Sequence, residues 1–203
     1  MPKHTPAFRG EAVISRRAAM LGTLAFTLPF SKVAWADGVE PPVLTDDGLH
    51  REPWFVDSFL ELGDDLRSAT EGGKRFAVMW ELKGCPYCRE THFVNFADPA
   101  INRYVRTHFD ILQLNIIGSK LVTDFDGEEL SEKALARKYG VRFTPTFQFF
   151  PDSADGLADR SPAEREVARA AGYLKPEHFL AMFRFVEEKA YETETFRKYV
   201  RRM

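Results

Sequence analysis

The pattern of apolar and polar positions predicts alternating helices and strands over most of the 203-residue chain. Apolar residues at helical spacing predict five helices, at 53–70, at 87–96, from 98 onward, at 131–139 and at 176–191. Short apolar runs predict four strands, at 75–80, 109–116, 141–150 and 167–173. A small β excursion over 120–124 and an extension of the last helix by the final dozen residues complete the prediction.

Local residue chemistry supports these boundaries. Asp98 is placed to cap a helix that has Pro99 in its first turn, and Ser131 is placed to cap the next helix. The run at 109–116 is mostly apolar, which is typical of a central parallel strand. The first predicted helix has an apolar stripe made of Phe55, Val56, Phe59, Leu60 and Leu66. The order of the elements predicts an α/β fold with a central mixed sheet flanked by helices.

Residues 1–36 differ in kind from the rest. Arg16 and Arg17 precede an uncharged, mostly apolar run, and Ala34–Ala36 forms an A-x-A pattern. This arrangement predicts a secretory signal cleaved after Ala36 and therefore a periplasmic protein. The paired arginines also resemble the twin-arginine export motif, but Ala19 stands where that motif usually has Phe, so the export route is left open. The apolar run is too short to span a bilayer comfortably.

Removal of this segment changes the charge. Residues 1–36 contain five of the 28 Lys and Arg residues and one of the 30 acidic residues, which leaves a formal charge near −6. That charge does not favour binding to nucleic acid. The Pro- and Asp-rich stretch 37–52 is interpreted as a tether, and 53–203 as a single domain with ample core. We expect this domain to act as a monomer.

The chain has only two cysteines, Cys85 and Cys88, at C-x-x-C spacing. They lie where the strand at 75–80 ends and the helix at 87–96 begins. A thiolate there faces free backbone N–H groups and the positive end of the helix dipole, which lower its pKa. Cys85 is predicted to be the exposed nucleophile, and Cys88 the more buried thiol that attacks a mixed disulfide formed at Cys85.

Two other interpretations of the cysteine pair are weaker. A structural disulfide that closes so short a loop constrains little of the unfolded chain. Zinc requires four ligands, and the sequence offers no second cysteine pair. His92 can face the same side of the helix as Cys88, but two thiols and one imidazole do not complete a zinc site. We therefore expect no metal and no cofactor other than a redox-active Cys85–Cys88 disulfide.

The C-x-x-C motif, followed some sixty residues later by Thr144-Pro145-Thr146-Phe147 at a strand, resembles the thioredoxin fold over roughly residues 53–190. The resemblance implies that Pro145 is a cis proline beside the disulfide. Pro86, Tyr87 and Thr144 are predicted to contact the substrate, and Tyr87 is exposed by its place in the turn. The exported chain with its Cys-Pro-Tyr-Cys motif is most similar to periplasmic thioredoxins of the SoxW type, which are linked to sulfur oxidation. Cys-Pro-Tyr-Cys is also a glutaredoxin motif, but no Gly-Gly-x-Asp loop follows Pro145.

The SoxW likeness implies that a membrane thiol transporter donates electrons, and that disulfides of periplasmic proteins receive them.

Two other classes of function are possible. A disulfide-introducing oxidase usually has a helical insertion after the C-x-x-C helix, and residues 97–109 leave room for one helix only. A binding module would retain the fold with an inert disulfide.

One position departs from the thioredoxin pattern. Thioredoxins usually have a buried acid six residues before the first cysteine, and this chain has Met79 there. Glu81 lies two residues further on, on the same face of the strand. It is a candidate acceptor for the Cys88 proton, and the alternative is that it lies at a solvated end of the sheet.

Overall fold

The computed structural model describes residues 38–203, so the predicted signal segment lies outside the described residues. The strands are β1 (Val43–Leu44), β2 (His50–Arg51), β3 (Arg75–Glu81), β4 (Phe109–Asn115), β5 (Leu121–Thr123), β6 (Glu129–Ser131), β7 (Thr146–Phe149) and β8 (Ala168–Ala171). The α-helices are α1 (Leu62–Glu71), α2 (Pro86–Glu90), α3 (Pro99–His108), α4 (Glu132–Lys138), α5 (Pro162–Arg165), α6 (Pro176–Glu187) and α7 (Phe196–Arg201). A π-helical turn (Thr91–Asn95) continues α2, and a 3-10 turn (Ala190–Glu192) follows α6.

A four-stranded mixed sheet, in the order β4-β3-β7-β8, forms the centre of the domain. β3 pairs in parallel with β4, and the β3–β7 and β7–β8 pairs are antiparallel. Two short antiparallel hairpins, β1–β2 and β5–β6, lie outside this sheet. The predicted α/β fold with a central mixed sheet flanked by helices is confirmed.

Helices cover both faces of the sheet. Successive β3 side chains point to opposite faces, so they enter two different cores. Ala77 and Met79 belong to an aromatic core shared with α3 and α6, whose buried members include Phe96, Phe109, Phe147, Phe149, Phe179 and Phe183. The other core is shared with α1 and α4, and it includes Leu66, Phe76, Val78, Trp80, Leu135 and Phe150. Each core thus receives alternate residues of one strand.

The predicted helix caps are present. The Asp98 carboxylate accepts hydrogen bonds from the N–H groups of Ala100 and Ile101 at 2.8 and 3.0 Å. The Ser131 hydroxyl accepts one from the Ala134 N–H at 3.2 Å. These caps satisfy backbone donors that have no partner within the helix.

The segment interpreted as a tether packs on the domain in part. β1 and β2 pair within it, and Leu49 and Glu52 are only 4% and 1% exposed. The charged side chain at 52 is buried because it has a buried partner, His92, at 2.8 Å. The stretch up to Glu52 therefore contributes directly to the folded domain.

The first helix begins at Leu62 and not at Pro53, so this boundary was wrong. Upstream backbone groups bond to other elements: the Val56 N–H donates to the Ile111 carbonyl of β4, and Arg51 donates to two carbonyls in this stretch. Phe59, assigned to the apolar stripe, is 99% exposed. Residues 53–61 thus form a mostly irregular stretch that bonds to β4 at Val56 and to β5 at Leu60.

Two other expectations differ from the structure. β4 is an edge strand of the sheet and not a central one, and it is apolar because the 53–61 segment and the helices cover it. The last helix is interrupted, because Lys189 adopts a left-handed conformation with φ 53° after α6. α7 is therefore a separate helix, packed through Tyr199.

Within residues 38–203, no helix combines the length and apolar character needed to cross a membrane.

The aromatic core makes a quantitative prediction. Phe183 is 1% exposed and packs its ring against Phe109 and Phe179 at centroid distances of 4.8 and 4.9 Å. Phe183→Ala should lower the free energy of unfolding by about 3–5 kcal/mol, because it leaves a cavity in a packed core. Urea denaturation of the oxidised protein measures this loss. The matched control, Phe59→Ala, should change stability by less than about 0.5 kcal/mol. Equal losses in the two variants would contradict the assigned core.

Candidate active site

Cys85 and Cys88 form a disulfide in the turn between β3 and α2. Gly84 has φ 76°, a conformation that favours glycine, and it brings the chain round to Cys85 at the start of the helix. The Cys88 N–H donates to Cys85 Sγ at 3.1 Å, and Pro86 occupies the first turn. The predicted position of the pair at a strand-to-helix junction is confirmed.

The two sulfurs have different surroundings. Cys88 is 4% exposed, whereas Cys85 is only partly buried. Cys85 Sγ lies 3.4 Å from the Thr144 hydroxyl, which donates to it, and 3.5 Å from the Thr144 carbonyl oxygen. The Thr144–Pro145 peptide bond is cis. A partner can therefore reach Cys85 more easily than Cys88, and the loop before β7 lies directly beside Cys85.

An open groove of about 590 Å³ lies on the Thr144 side of Cys85. Tyr87 and Phe143 line it and are 56% and 65% exposed. Tyr87 stacks on Tyr173 at a centroid distance of 6.0 Å. The remaining lining residues are Ala171, Gly172 and Lys175. Exposed aromatic rings beside a disulfide form a surface suited to an extended polypeptide.

Two of the three predicted substrate residues, Tyr87 and Thr144, line this groove. Pro86 is exposed at the start of α2 and lines a different cleft, on the other side of the disulfide. Phe143 and Tyr173 were not identified from the sequence. Phe143 lies in a run that predicted a buried strand, and Tyr173 is far from the cysteines along the chain. Only the pairing of β7 with β8 brings the segments of Thr144 and Tyr173 together.

A second, smaller cleft of about 270 Å³ lies on the other side of the disulfide. Both cysteines line it, together with Glu81 at the end of β3 and His50 of β2. Arg89 and the Gly48–Leu49 turn complete its wall. Glu81 therefore shares a cleft with the buried sulfur of Cys88.

Behind this cleft, a buried imidazole bridges two buried carboxylates. His92 Nδ1 lies 2.8 Å from Glu52 Oε1, and His92 Nε2 lies 3.1 and 3.2 Å from the two carboxylate oxygens of Glu81. The three side chains are at most 1% exposed. The Gln113 side-chain amide also donates to Glu81 and to the His50 carbonyl oxygen. We refer to Glu52, His92 and Glu81 as the buried triad.

The environment of the triad changes its proton affinity. Burial alone would lower the pKa of His92, but hydrogen bonds to Glu52 and Glu81 raise it to about 9. Burial raises the pKa of Glu52, against the effect of its bond to His92. His92 is therefore an imidazolium at neutral pH, and both of its N–H groups donate to carboxylates.

The structure decides between the two positions proposed for Glu81. Its burial excludes a solvated end of the sheet, whereas its role in proton transfer stays a prediction. His92 was considered from the sequence only as a zinc ligand, and Glu52 was not considered. Among the residues that the structure describes, no group of three or more His, Cys, Asp or Glu side chains is arranged to hold a metal ion.

Comparison with known proteins gives one family match. A family model described as a thioredoxin-like domain matches residues 62–187, which is more than half of the chain. No curated protein sequence matches.

Three solved structures are similar to this chain. A thioredoxin-fold protein from Helicobacter pylori is 20% identical with a TM-score of 0.50, and the match covers 68% of this chain and 91% of that chain. A thioredoxin from Thermus thermophilus is 26% identical with a TM-score of 0.44, over 61% and 81% of the two chains. The oxidised DsbD C-terminal domain from Neisseria meningitidis is 16% identical with a TM-score of 0.41, over 64% and 96%. The Helicobacter pylori likeness supports the fold alone.

The buried imidazolium predicts how stability depends on pH. Because the folded-state pKa of His92 is raised from 6.5 to about 9, its contribution is complete below pH 6.5 and is lost as pH rises to 9. The free energy of unfolding should fall by about 3 kcal/mol across this window. Urea denaturation of the oxidised protein at several pH values measures the slope.

Two variants test the origin of this slope. His92→Gln should remove most of it, since glutamine does not titrate. The exposed His178→Gln should keep it. A wild-type stability that is flat between pH 6.5 and 9 would show that His92 is not held as an imidazolium.

Proposed function

Because this chain belongs to the family of thioredoxin-like domains, we propose that it is a thiol–disulfide oxidoreductase that reduces disulfides of partner proteins in the periplasm. The observation that carries the proposal is the unequal cysteine pair. Cys85 is partly exposed beside an aromatic groove, and Cys88 is buried one helical turn away. Such a pair suits sequential attack and resolution.

The reaction proceeds in two exchanges. The Cys85 thiolate, which accepts a hydrogen bond from the Cys88 N–H, attacks one sulfur of the partner disulfide. A mixed disulfide forms, and the other partner sulfur leaves as a thiolate. Cys88 then loses its proton and attacks Cys85 Sγ, which forms the Cys85–Cys88 bond and breaks the mixed bond. The partner gains the two electrons that the dithiol loses and leaves with two thiols.

The groove gives the partner a place to bind. Tyr87, Phe143 and Tyr173 offer apolar contacts to the chain around the partner cysteine, and Thr144 lies against the attacking sulfur. We propose the Cys85–Cys88 disulfide as the redox group of the reaction.

The cellular setting rests on sequence features. The predicted signal at 1–36 supports export to the periplasm, and the Cys-Pro-Tyr-Cys motif supports a SoxW-type role linked to sulfur oxidation. In that role a membrane thiol transporter returns the disulfide to the dithiol, and the monomeric domain passes electrons to periplasmic proteins.

The order of attack predicts different trapping by two variants. Cys88→Ser leaves Cys85 able to attack but removes the resolving thiol, so it should accumulate mixed disulfides with periplasmic proteins. Cys85→Ser should trap nothing, because the remaining thiol is buried. Non-reducing gels and mass spectrometry detect the adducts. Equal trapping by the two variants would overturn the roles, and no trapping by either would indicate a binding module with an inert disulfide.

The surroundings of Cys85 predict a reducing couple. The Pro86-Tyr87 dipeptide provides no histidine beside the thiolate, and the buried triad leaves one net negative charge at Glu81, which lines the same cleft as Cys85. We expect a midpoint reduction potential of about −270 mV, as in thioredoxin, and not the value of about −120 mV that is typical of a strong oxidant. The two values differ by about 7 kcal/mol.

Equilibration in thiol–disulfide buffers, followed by alkylation and mass measurement, gives this midpoint. Tyr87→His provides a matched variant, because an imidazolium beside Cys85 stabilises the thiolate. This variant should have a reduction potential higher than that of the wild type by on the order of tens of millivolts. A wild-type midpoint above about −150 mV would replace the reductase with a disulfide-introducing oxidase.

A further inference from the structure

The buried triad joins three parts of the chain at one point behind the disulfide. Glu52 comes from the N-terminal segment, Glu81 ends β3, and His92 lies one turn after Cys88 in the π-helical continuation of α2. Aromatic rings surround His92, with Phe55 and Phe96 at centroid distances of 6.0 and 5.7 Å. Three ionisable groups thus occupy a largely apolar site.

Such burial is unfavourable unless the charges are paired. An unpaired carboxylate in this core would lose its hydration without compensation. An imidazolium with one N–H toward each carboxylate compensates both and leaves the triad with one net negative charge. Around the triad, Gln113 from β4 donates to Glu81, the Trp54 side chain lies beside Glu52, and His50 and Arg89 line the adjoining cleft. The remaining negative charge therefore lies beside the cleft that contains Cys88.

We propose that His92 is a positioning residue for the resolving step, which holds Glu81 as a carboxylate beside Cys88 while Glu52 fixes the orientation of the imidazole. The proposal rests on the oxidoreductase function proposed above. It assigns a role to two residues, His92 and Glu52, that the C-x-x-C motif alone does not indicate.

The chemical step is a proton transfer followed by thiol exchange. The Cys88 Sγ–H proton passes to a Glu81 carboxylate oxygen, and the thiolate attacks Cys85 Sγ. The Cys85–Cys88 bond forms, and the partner sulfur leaves with the electron pair of the broken bond. Glu81 then gives its proton to the departing thiolate or to water in the cleft, which restores the carboxylate.

Loss of the imidazolium should affect this step in a pH-dependent way. Without the positive partner, a buried carboxylate favours its protonated form, which cannot accept the Cys88 proton. The resolving step should then be slow at low pH and recover at high pH, where Cys88 ionises without help. A purely structural triad would instead alter stability with no specific change in this profile.

Reaction of the reduced protein with dithiobis(nitrobenzoic acid) separates the two exchanges. The first nitrothiophenolate released reports attack by Cys85, and the second reports resolution by Cys88. In His92→Gln, the first phase should stay within about twofold of wild type, and the second should be about tenfold slower at pH 6.5 but nearly normal at pH 9. An unchanged second phase at pH 6.5 would overturn the proposal.

Two further variants distinguish positioning from general damage. Glu81→Gln should slow the second phase at least as much as His92→Gln, and combining the two should add little, because both act through one proton acceptor. Glu71→Gln makes the same chemical change at an exposed position of α1 and should resolve within about twofold of wild type. Additive effects of His92→Gln and Glu81→Gln would overturn the shared pathway.

The experiment also separates this proposal from the general function. A wild-type protein without a rapid first phase would refute the oxidoreductase function itself. If His92→Gln does not fold, nitrogen NMR of the reduced wild type provides the test. Both ring nitrogens of His92 should carry protons up to about pH 9. A neutral His92 ring at pH 7 would overturn the proposal.

Discussion

Burial of β3 at every one of its positions is the constraint from which the active site follows. The strand has hydrogen-bonded neighbours on both sides and a packed core on each face, so its carboxyl end is held firmly within the sheet. The turn that contains Cys85 begins there. Trp80 pairs with Thr146, which places the loop containing Thr144 beside that turn. The contact between Cys85 and Thr144 is thus a consequence of strand register.

The same strand explains why the buried charges exist. Alternation places Glu81 on the face already occupied by Ala77 and Met79, which is the aromatic side of the sheet. A carboxylate on that face needs a partner that can enter the core, and His92 supplies it from the helix after the cysteines. The second N–H of His92 donates to Glu52, whose carboxylate is therefore buried in the same core. One residue of β3 thereby anchors the N-terminal segment.

Local chemistry made much of the fold predictable. The cysteine spacing, the Asp98 and Ser131 caps and the apolar strands depend on neighbours in the sequence, so they could be identified without the structure. The irregular 53–61 stretch could not, because its backbone bonds go to β4 and Arg51, which only the tertiary fold brings close. The triad was hidden for the same reason. Its central contact joins residues 40 positions apart, and nothing near Glu52 marks it as buried.

The segment that matches the family begins later in the chain than the segment that folds into the domain. The thioredoxin-like match begins at residue 62, after Glu52 and after the irregular stretch that covers β4. A protein trimmed to the matched region would keep both cysteines and would still be recognised as a family member. It would nevertheless leave one N–H of His92 without its acceptor and expose an edge strand to other chains. The segment defined by family similarity is therefore shorter than the segment needed to pair the buried charges of the domain.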